Sequence, residues 1–239
     1  MKIALFSDIH ANLPAWESFV EDLEKVQPDS VYCLGDLVGY NIWPNEVVNS
    51  IRNMRIPTIA GNHDAVIGIP TDKASGKYTN NVIGASEKAY LQSLPAHIKL
   101  DFHFENGPVS VLLVHGSPKK NNEYLREDTD EDYLLSLMEE AAVDILCFGH
   151  THIQFHKVLK GKDGRYKHCI NLGSLGKPKD GDPRGCYAVL AFDVQTNLLD
   201  KDGISVTFNR VAYDVERAAA AIESSVLPNT FAAALRMAT

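Results

Sequence analysis

The chain lacks a cysteine pair at C-x-x-C spacing and has only four cysteines in 239 residues. Each of them lies in or beside an apolar run, which favours buried free thiols in a reducing compartment over a disulfide framework. Soft thiolate ligands for a structural zinc are therefore missing. The four residues are Cys33, Cys147, Cys169 and Cys186.

Long apolar runs are also absent, and none approaches the roughly 20 residues that a membrane-spanning helix needs. The chain opens directly into a strand-like run from Ile3 to Phe6, and the acidic residue Asp8 follows. This opening is unlike a signal peptide, which has a basic start and a longer apolar core. We therefore expect a soluble, cytoplasmic protein without membrane contact.

An excess of basic residues is absent as well. The sequence has 31 acidic and 23 basic residues, so its formal net charge is -8. This balance disfavours a broad basic surface for nucleic acid, and we expect no stable nucleic-acid complex and no nuclease acting on long DNA. A small phosphorylated substrate remains compatible, because bound metal ions would supply local positive charge.

Short apolar runs separated by amphipathic segments occupy the first part of the chain. Residues 2–7, 31–34 and 57–60 are typical of buried strands, and helical patterns lie between them. This β-α-β-α-β order predicts parallel strands with right-handed crossovers. A further helix is predicted over residues 80–94, ahead of Pro95.

Hairpin patterns dominate the remainder. Residues 98–104 alternate between apolar and polar and pair with 109–114 across a turn, and two more hairpins follow. The final strand changes its apolar phase near Asn209-Arg210, which predicts a β-bulge there. The apolar faces of two sheets must be buried against other elements. We therefore expect an α/β fold, a four-layer αββα sandwich of two mixed β-sheets flanked by helices.

The length favours one domain over residues 1–239. Within it, the motif-bearing part spans about residues 1–190, and a C-terminal hairpin with helices, residues 185–239, completes the domain.

Five polar motifs follow short apolar runs, at the carboxyl ends of strands where α/β proteins form their sites. Each motif alone is weak, because Asp, Asn, Gly and His are common in turns. Together they supply imidazole, carboxylate and amide ligands for two metals of the Mn, Fe or Zn type that share a carboxylate. The motifs are Asp8-Ile9-His10, Gly35-Asp36, Gly61-Asn62-His63-Asp64, His115-Gly116 and Gly149-His150-Thr151-His152.

This order of motifs resembles that of the calcineurin-like metallophosphoesterases over about residues 1–190. The amino-acid sequences of residues 7–14 and 171–174 are similar to those of the small bacterial and archaeal phosphodiesterases of this family. The resemblance implies the αββα fold and a two-metal-dependent phosphoesterase that cleaves small phosphodiesters or nucleotide-type substrates through a metal-bridging hydroxide. Mn is the expected ion, with Fe, Zn, Ni or Co as alternatives.

The resemblance also assigns the metal ligands in two groups joined by one bridging carboxylate. One metal would be held by Asp8, His10 and His152, the other by Asn62, His115 and His150, with Asp36 bridging them.

His63 is the catalytic residue that the resemblance implies. It would face the phosphate and either protonate the leaving oxygen or stabilise the charge of the transition state. In the family's protein phosphatases an aspartate partners this histidine, but Gly39 stands at that position here. Asp64 is therefore a candidate catalytic partner, and a helix-capping role is the alternative.

Three side chains are candidates for contact with the substrate. Asn12 would donate a hydrogen bond to it or stabilise its own loop. Lys177 and Arg184, in a basic loop that also contains Lys179, would contact a phosphate or leaving group, or Arg184 would form a structural ion pair. Trp43 would line the cleft or pack in the core.

Two alternative functions remain. A phosphomonoesterase or protein phosphatase would use the same metals, but Gly39 weakens this alternative. A non-catalytic scaffold would be similar to the retromer subunit of this fold, which lacks the catalytic histidine. Here His63 and every expected ligand are present, which favours an enzyme.

Overall fold

The computed structural model describes residues 1–239 as nine strands and eight helices. None of its helices combines the length and the apolar character needed to cross a membrane. In chain order the elements are β1 (Lys2–Phe6), α1 (Leu13–Val26), β2 (Ser30–Cys33), α2 (Pro44–Asn53), α3 (Asn62–Ala65), α4 (Ala74–Val82), α5 (Ala85–Ser93), β3 (Ile98–Phe104), β4 (Gly107–Leu113), α6 (Glu131–Ala141), β5 (Ile145–Phe148), β6 (Gln154–Lys160), β7 (Tyr166–Leu172), β8 (Gly185–Ala191), β9 (Ser205–Val211), α7 (Val215–Glu223) and α8 (Asn229–Met237).

The strands form two mixed sheets, as the sequence predicted. The first has the order β2-β1-β8-β9, in which β1 and β2 are parallel and the other pairs are antiparallel. The second has the order β3-β4-β5-β7-β6, with parallel strands at its centre and an antiparallel hairpin at each edge. The parallel pair β1 and β2, joined through α1, confirms the predicted crossover unit.

Three apolar cores separate four layers. Ile3 and Leu5 of β1 belong to the core between the two sheets, whereas Ala4 and Phe6 face the helices α1 and α2. A third core joins the second sheet to α6. The run Ile3 to Phe6 is continuously apolar because both of its faces are covered. The αββα prediction is thus confirmed.

The C-terminal helices α7 and α8 bury a small core of their own against each other. Trp43 packs against this core, and the Arg217 guanidinium lies 5.8 Å from the centre of its ring. Packing, rather than lining of a cleft, is therefore the role that the structure gives Trp43. A single domain over the whole chain stays a prediction.

Two predicted elements, the strand over residues 57–60 and the helix over residues 80–94, differ from the structure. Residues 57–60 form only one parallel bridge, between Thr58 and Cys33, instead of a full strand. The helix predicted over 80–94 is broken before Gly84, whose N–H donates to the side chain of Asn45 (2.8 Å). Gly84 and Asn45 lie 39 positions apart, so the apolar pattern around residue 84 does not indicate this contact.

The predicted bulge near Asn209-Arg210 is wrong. The strands β8 and β9 pair without interruption from Gly185 opposite Val211 to Ala191 opposite Ser205. Phe208 packs in the core between the sheets, and Val211 packs on the helical side. Apolar residues can therefore stand at both alternating positions of β9 without a bulge, because both faces of the strand are covered.

Candidate metal centre

The five polar motifs meet where the carboxyl ends of strands from both sheets lie together. Backbone hydrogen bonds join the loops. The N–H groups of Asp8 and His10 donate to the carbonyls of Gly35 (3.0 Å) and Asp36 (2.9 Å). Gly149 N–H donates to the carbonyl of His115 (2.9 Å). The site is therefore built from backbone contacts between loops, and the side chains project from a fixed frame.

One group of potential metal ligands consists of Asp8, His10 and His152, all of them buried. The Oδ1 atom of Asp8 lies 3.1 Å from Nε2 of His152 and 3.6 Å from Nε2 of His10. The two imidazole Nε2 atoms lie 3.1 Å apart. This group matches the first predicted ligand set.

The second group consists of Asp36, His115 and His150. Asp36 Oδ2 lies 3.3 Å from Nε2 of His115. The Asn62 side-chain oxygen, directed inward, lies 3.1 Å from the same nitrogen. The second predicted set is thus also brought together, with the amide oxygen of Asn62 beside it.

Asp36 stands between the two groups. Its Oδ2 atom lies 3.7 Å from Nε2 of His10, in the first group, and 3.3 Å from Nε2 of His115, in the second. Its other oxygen accepts a hydrogen bond from the backbone N–H of His63 (2.8 Å). That bond fixes the carboxylate and leaves one oxygen directed at both groups.

Three of the histidines have their ring orientation fixed by backbone carbonyls. An Nδ1–H that donates to a carbonyl leaves the Nε2 lone pair free, which is the usual arrangement of a metal-binding imidazole. The pairs are His10 with Val38 (2.9 Å), His115 with Leu34 (2.8 Å) and His152 with Lys177 (2.6 Å).

The donor atoms fit divalent cations. Asp8 Oδ1 is buried without a hydrogen-bond donor and faces Nε2 of His152 at 3.1 Å and Nε2 of His10 at 3.6 Å. The Nδ1–H groups of these two histidines donate to backbone carbonyls, so their Nε2 lone pairs face the carboxylate. A cation placed between these atoms would remove their repulsion.

The raised pKa of His115 shows that the site carries an excess of negative charge. Burial lowers this pKa, but the carboxylates of Asp36 and Asp8 outweigh burial and raise it to about 10. Burial would raise the pKa of Asp8, yet His152 and His115 hold it well below its usual range. Asp36 behaves in the same way, because His115 and His63 outweigh burial and lower its pKa. Two buried carboxylates thus stay ionised, and cations would balance them.

Five of the seven predicted ligands have a left-handed backbone, with φ between 51° and 65°. This conformation is uncommon for residues other than glycine and costs free energy, and it concentrates at functional sites. The residues are Asp8, His10, Asp36, His150 and His152.

His63 lies at the edge of the metal groups. Its ring centre is 5.0 Å from that of His10 and 5.0 Å from that of Tyr40. A ring nitrogen also lies within 4.8 Å of ligand atoms of His10 and Asp36. Burial lowers the pKa of His63 to about 4. The imidazole is therefore neutral near pH 7 and close enough to act on a group bound at the metals.

Residues 1–196 match the family model of the calcineurin-like phosphoesterase superfamily domain. This chain belongs to that superfamily. Members of the family typically bind divalent metals, and membership indicates a hydrolase.

Relatives span nearly the whole chain. An uncharacterised protein of Methanocaldococcus jannaschii is 30% identical over 246 residues, covering 95% of this chain and 93% of that protein. A metallophosphoesterase from Sphaerobacter thermophilus is 28% identical, with a TM-score of 0.77 over 100% of this chain and 99% of its own. A hypothetical protein from Pyrococcus horikoshii has a TM-score of 0.79 at 22% identity, covering 98% and 97%, and shows the shared fold alone.

Asp64 contacts backbone groups of two loops. Its carboxylate accepts hydrogen bonds from the backbone N–H groups of Leu37 (3.0 Å), Val38 (3.4 Å) and Gly61 (3.0 Å), and none from the His63 side chain. These contacts fit the capping alternative, and a catalytic role of Asp64 stays a prediction. Asp64 positions the loops that carry Asp36 and Asn62.

Gly39, where the protein phosphatases of this family have aspartate, lies directly against His63. Its φ is +98°, and a Cβ added there would lie 2.6 Å from Nδ1 of His63. A Gly39→Ala variant should displace the imidazole and lower kcat about 10- to 100-fold while metal content stays constant. Kinetics and metal analysis on the same samples test this prediction.

Gly164→Ala is the matched control, because Gly164 also has a left-handed φ, +79°, but no atom within 4 Å of the added Cβ. Equal losses of kcat in the two variants would show that backbone strain, rather than contact with His63, causes the effect.

Two of the predicted substrate contacts, Asn12 and Arg184, bind other groups of the protein. Both polar atoms of Asn12 bind the protein itself: Oδ1 accepts from Ala15 N–H (3.2 Å), and Nδ2 donates to the Gly176 carbonyl (2.7 Å). Arg184 forms an ion pair with Asp182 (2.6 Å) on the surface. These contacts fit the structural alternatives for Asn12 and Arg184, and a substrate contact by either residue stays a prediction.

The two lysines of the basic loop lie close to the metal centre. The ammonium of Lys177 is held 5.1 Å from the centre of the Tyr40 ring and donates to the carbonyl of Thr239 (3.2 Å). Lys179 is half-buried and forms no ion pair. Burial lowers the pKa of Lys179, while Asp8 and Asp36 act in the opposite direction. Lys179 is the freer of the two cations.

Two tyrosines at the site are missing from the sequence-based prediction. The ring of Tyr40 contacts those of His10 and His63, and the ring of Tyr124 stacks on His150 with a centre-to-centre distance of 4.3 Å. Both lie on loops that follow ligand-bearing strand ends. An aromatic residue in such a loop is the signal that could have identified them.

Proposed function

We propose that this chain is a two-metal-dependent phosphoesterase that hydrolyses small phosphodiesters or nucleotide-type substrates. The observation that supports this most directly is the position of Asp36. One of its oxygens faces His10 at 3.7 Å and His115 at 3.3 Å, and these histidines belong to different ligand groups. A carboxylate oxygen shared in this way suits a pair of ions bridged by one ligand.

The ligands would be divided between two cations, Mn²⁺ in our proposal. When bound, the ions would lower the pKa of a water molecule to supply the nucleophile and would neutralise charge on the phosphate. Asp8, His10 and His152 would hold one ion, Asn62, His115 and His150 the other, and Asp36 both.

His63 would act on the substrate itself. Its neutral imidazole can accept a hydrogen bond or, once protonated, donate to the leaving oxygen. The Gly39 backbone on one side and the Tyr40 ring on another restrict its orientation. A fixed orientation is what proton transfer to a bound group requires.

We propose diesters, rather than phosphoproteins, as the substrates. The protein phosphatases of this family use an aspartate beside their catalytic histidine, and the contact of Gly39 with His63 leaves little space for one. A scaffold without activity would not need the buried, left-handed ligand residues, which cost stability.

The test compares a bis-aryl phosphate with its mono-aryl analogue, using metal-stripped protein with and without added Mn²⁺. We expect no turnover without metal, recovery with Mn²⁺, and a kcat/KM at least about tenfold higher for the diester, equivalent to about 1.4 kcal/mol. Parallel samples with Fe²⁺, Zn²⁺, Ni²⁺ and Co²⁺ compare the ions.

A higher kcat/KM for the monoester would favour the phosphomonoesterase alternative. Turnover that survives stripping would contradict the metal-dependent proposal. If two bound ions were measured and neither ester reacted, the scaffold alternative would gain support.

A further inference from the structure

A cavity of about 890 Å³ opens beside the second ligand group. This volume lies in the range of small-molecule sites, about 300–1,000 Å³. Thr151, which stands between the ligands His150 and His152, forms part of its wall. Tyr124 and Lys179 line it as well. A molecule bound at the metals could therefore extend into this cavity.

Tyr124 gives the cavity an aromatic wall. One face of its ring stacks on His150, with ring centres 4.3 Å apart and planes 27° apart. The residue nevertheless remains 53% exposed, which is high for a tyrosine held against a buried residue. Ile153, 47% exposed, and the buried Phe155 add apolar surface to the same cavity. Exposed apolar surface next to a polar centre is typical of a ligand site.

Arg126 lies at the same wall. Its guanidinium is 5.6 Å from the centre of the Tyr124 ring, and its side chain forms no ion pair. An exposed arginine without a partner can shift to cover the second face of a planar group bound against Tyr124. The wall thus offers an aromatic face and an exposed guanidinium without an ion-pair partner.

The charged residues of the cavity would orient a bound molecule. Lys179 is attached to the metal centre through its backbone N–H, which donates to the His152 carbonyl (3.1 Å). Glu127 and Asp128 are exposed carboxylates that line the same cavity. A phosphate would be attracted to Lys179 and repelled by the two carboxylates, so the part of the molecule nearer the carboxylates should be uncharged.

We propose that Tyr124, Ile153 and Arg126 form a subsite for a planar aromatic group attached to the phosphate, such as a nucleoside base, with Lys179 contacting the phosphate. This inference rests on the proposed phosphoesterase function, and it identifies the class of substrate as aryl or nucleoside phosphate esters. Alkyl phosphate esters would leave the Tyr124 wall uncovered.

The test is calorimetric binding of adenosine 5′-monophosphate and of ribose 5-phosphate to the Mn²⁺-loaded protein. Both ligands carry the 5′-phosphate, and they differ at C1′, where the first has adenine and the second a hydroxyl group. Base stacking on an aromatic side chain predicts that the adenosine ligand binds about tenfold more tightly. Phosphate release is followed in the same samples, so that binding and turnover are measured separately.

Two Tyr124 variants make the test specific. Tyr124→Leu should reduce the ratio of the two affinities about tenfold, and Tyr124→Phe should preserve it, because phenylalanine keeps the ring. Lys179→Gln should weaken both ligands by a similar factor, since both carry the phosphate, and leave their ratio unchanged.

Metal content is measured on the same samples. Equal affinities in the wild-type protein, or no measurable binding of either ligand to protein shown to hold Mn²⁺, would overturn the inference. A ratio that Tyr124→Leu leaves unchanged would overturn it too and would limit Tyr124 to covering His150. Binding needs no turnover, so a failure of the diester assay would leave this result interpretable. The failure of the subsite and that of the proposed function can therefore be told apart.

Discussion

Asp36→Ala is expected to remove both metal ions together and to lower kcat/KM about 1,000-fold or more. The reason is the shared position of the carboxylate, one oxygen of which faces His10 and His115 at 3.7 and 3.3 Å. Without it, each ligand group keeps its histidines but loses the negative charge that joins them. The loss of two cations removes several kcal/mol of transition-state stabilisation.

Metal content per chain, measured by mass spectrometry after gel filtration, tests this expectation. Asp202→Ala is the matched control, because the Asp202 side chain is 80% exposed, on the turn between β8 and β9. Retention of one full equivalent of metal in Asp36→Ala would show that Asp36 serves a single ion. Thermal melting of both variants separates loss of metal from loss of fold.

His63→Ala is expected to keep its metal and to lose about 10²- to 10⁴-fold in kcat, the range for removal of a general acid or base. His63 also lies within 4.8 Å of ligand atoms of His10 and Asp36, so a ligand role is the competing explanation. Metal content distinguishes the two, since a catalytic residue leaves it unchanged. Loss of an ion together with the rate would assign His63 to the metal site.

The leaving group identifies which catalytic role His63 has. If its imidazole protonates the leaving oxygen, His63→Ala should reduce the rate far more for an alkoxide leaving group than for 4-nitrophenolate, which needs little protonation. An equal loss for both esters would instead indicate stabilisation of transition-state charge. His103→Ala is the control, because His103 is exposed on β3 and belongs to no ligand group.

The five polar motifs could be located from the sequence because each follows a short apolar run, and the resemblance to a known family then assigned seven of their residues as metal ligands. Such runs become buried strands, and the ends of neighbouring strands meet at one edge. The same apolar periods predicted both sheets. Prediction was weakest where a contact between distant positions is involved. Between the helices α4 and α5, for example, the N–H of Gly84 donates to the side chain of Asn45, 39 positions away.

The sequence by itself therefore determined the αββα layers, because burial follows the apolar pattern, and it placed the five polar motifs at the ends of apolar runs. Only the tertiary structure decided which roles those residues could have. Asp64 binds backbone N–H groups instead of His63, and Tyr124 stacks on His150 although 26 positions separate them in the chain. Contacts between distant loops depend on the path of the folded backbone, and no periodicity along the chain encodes that path.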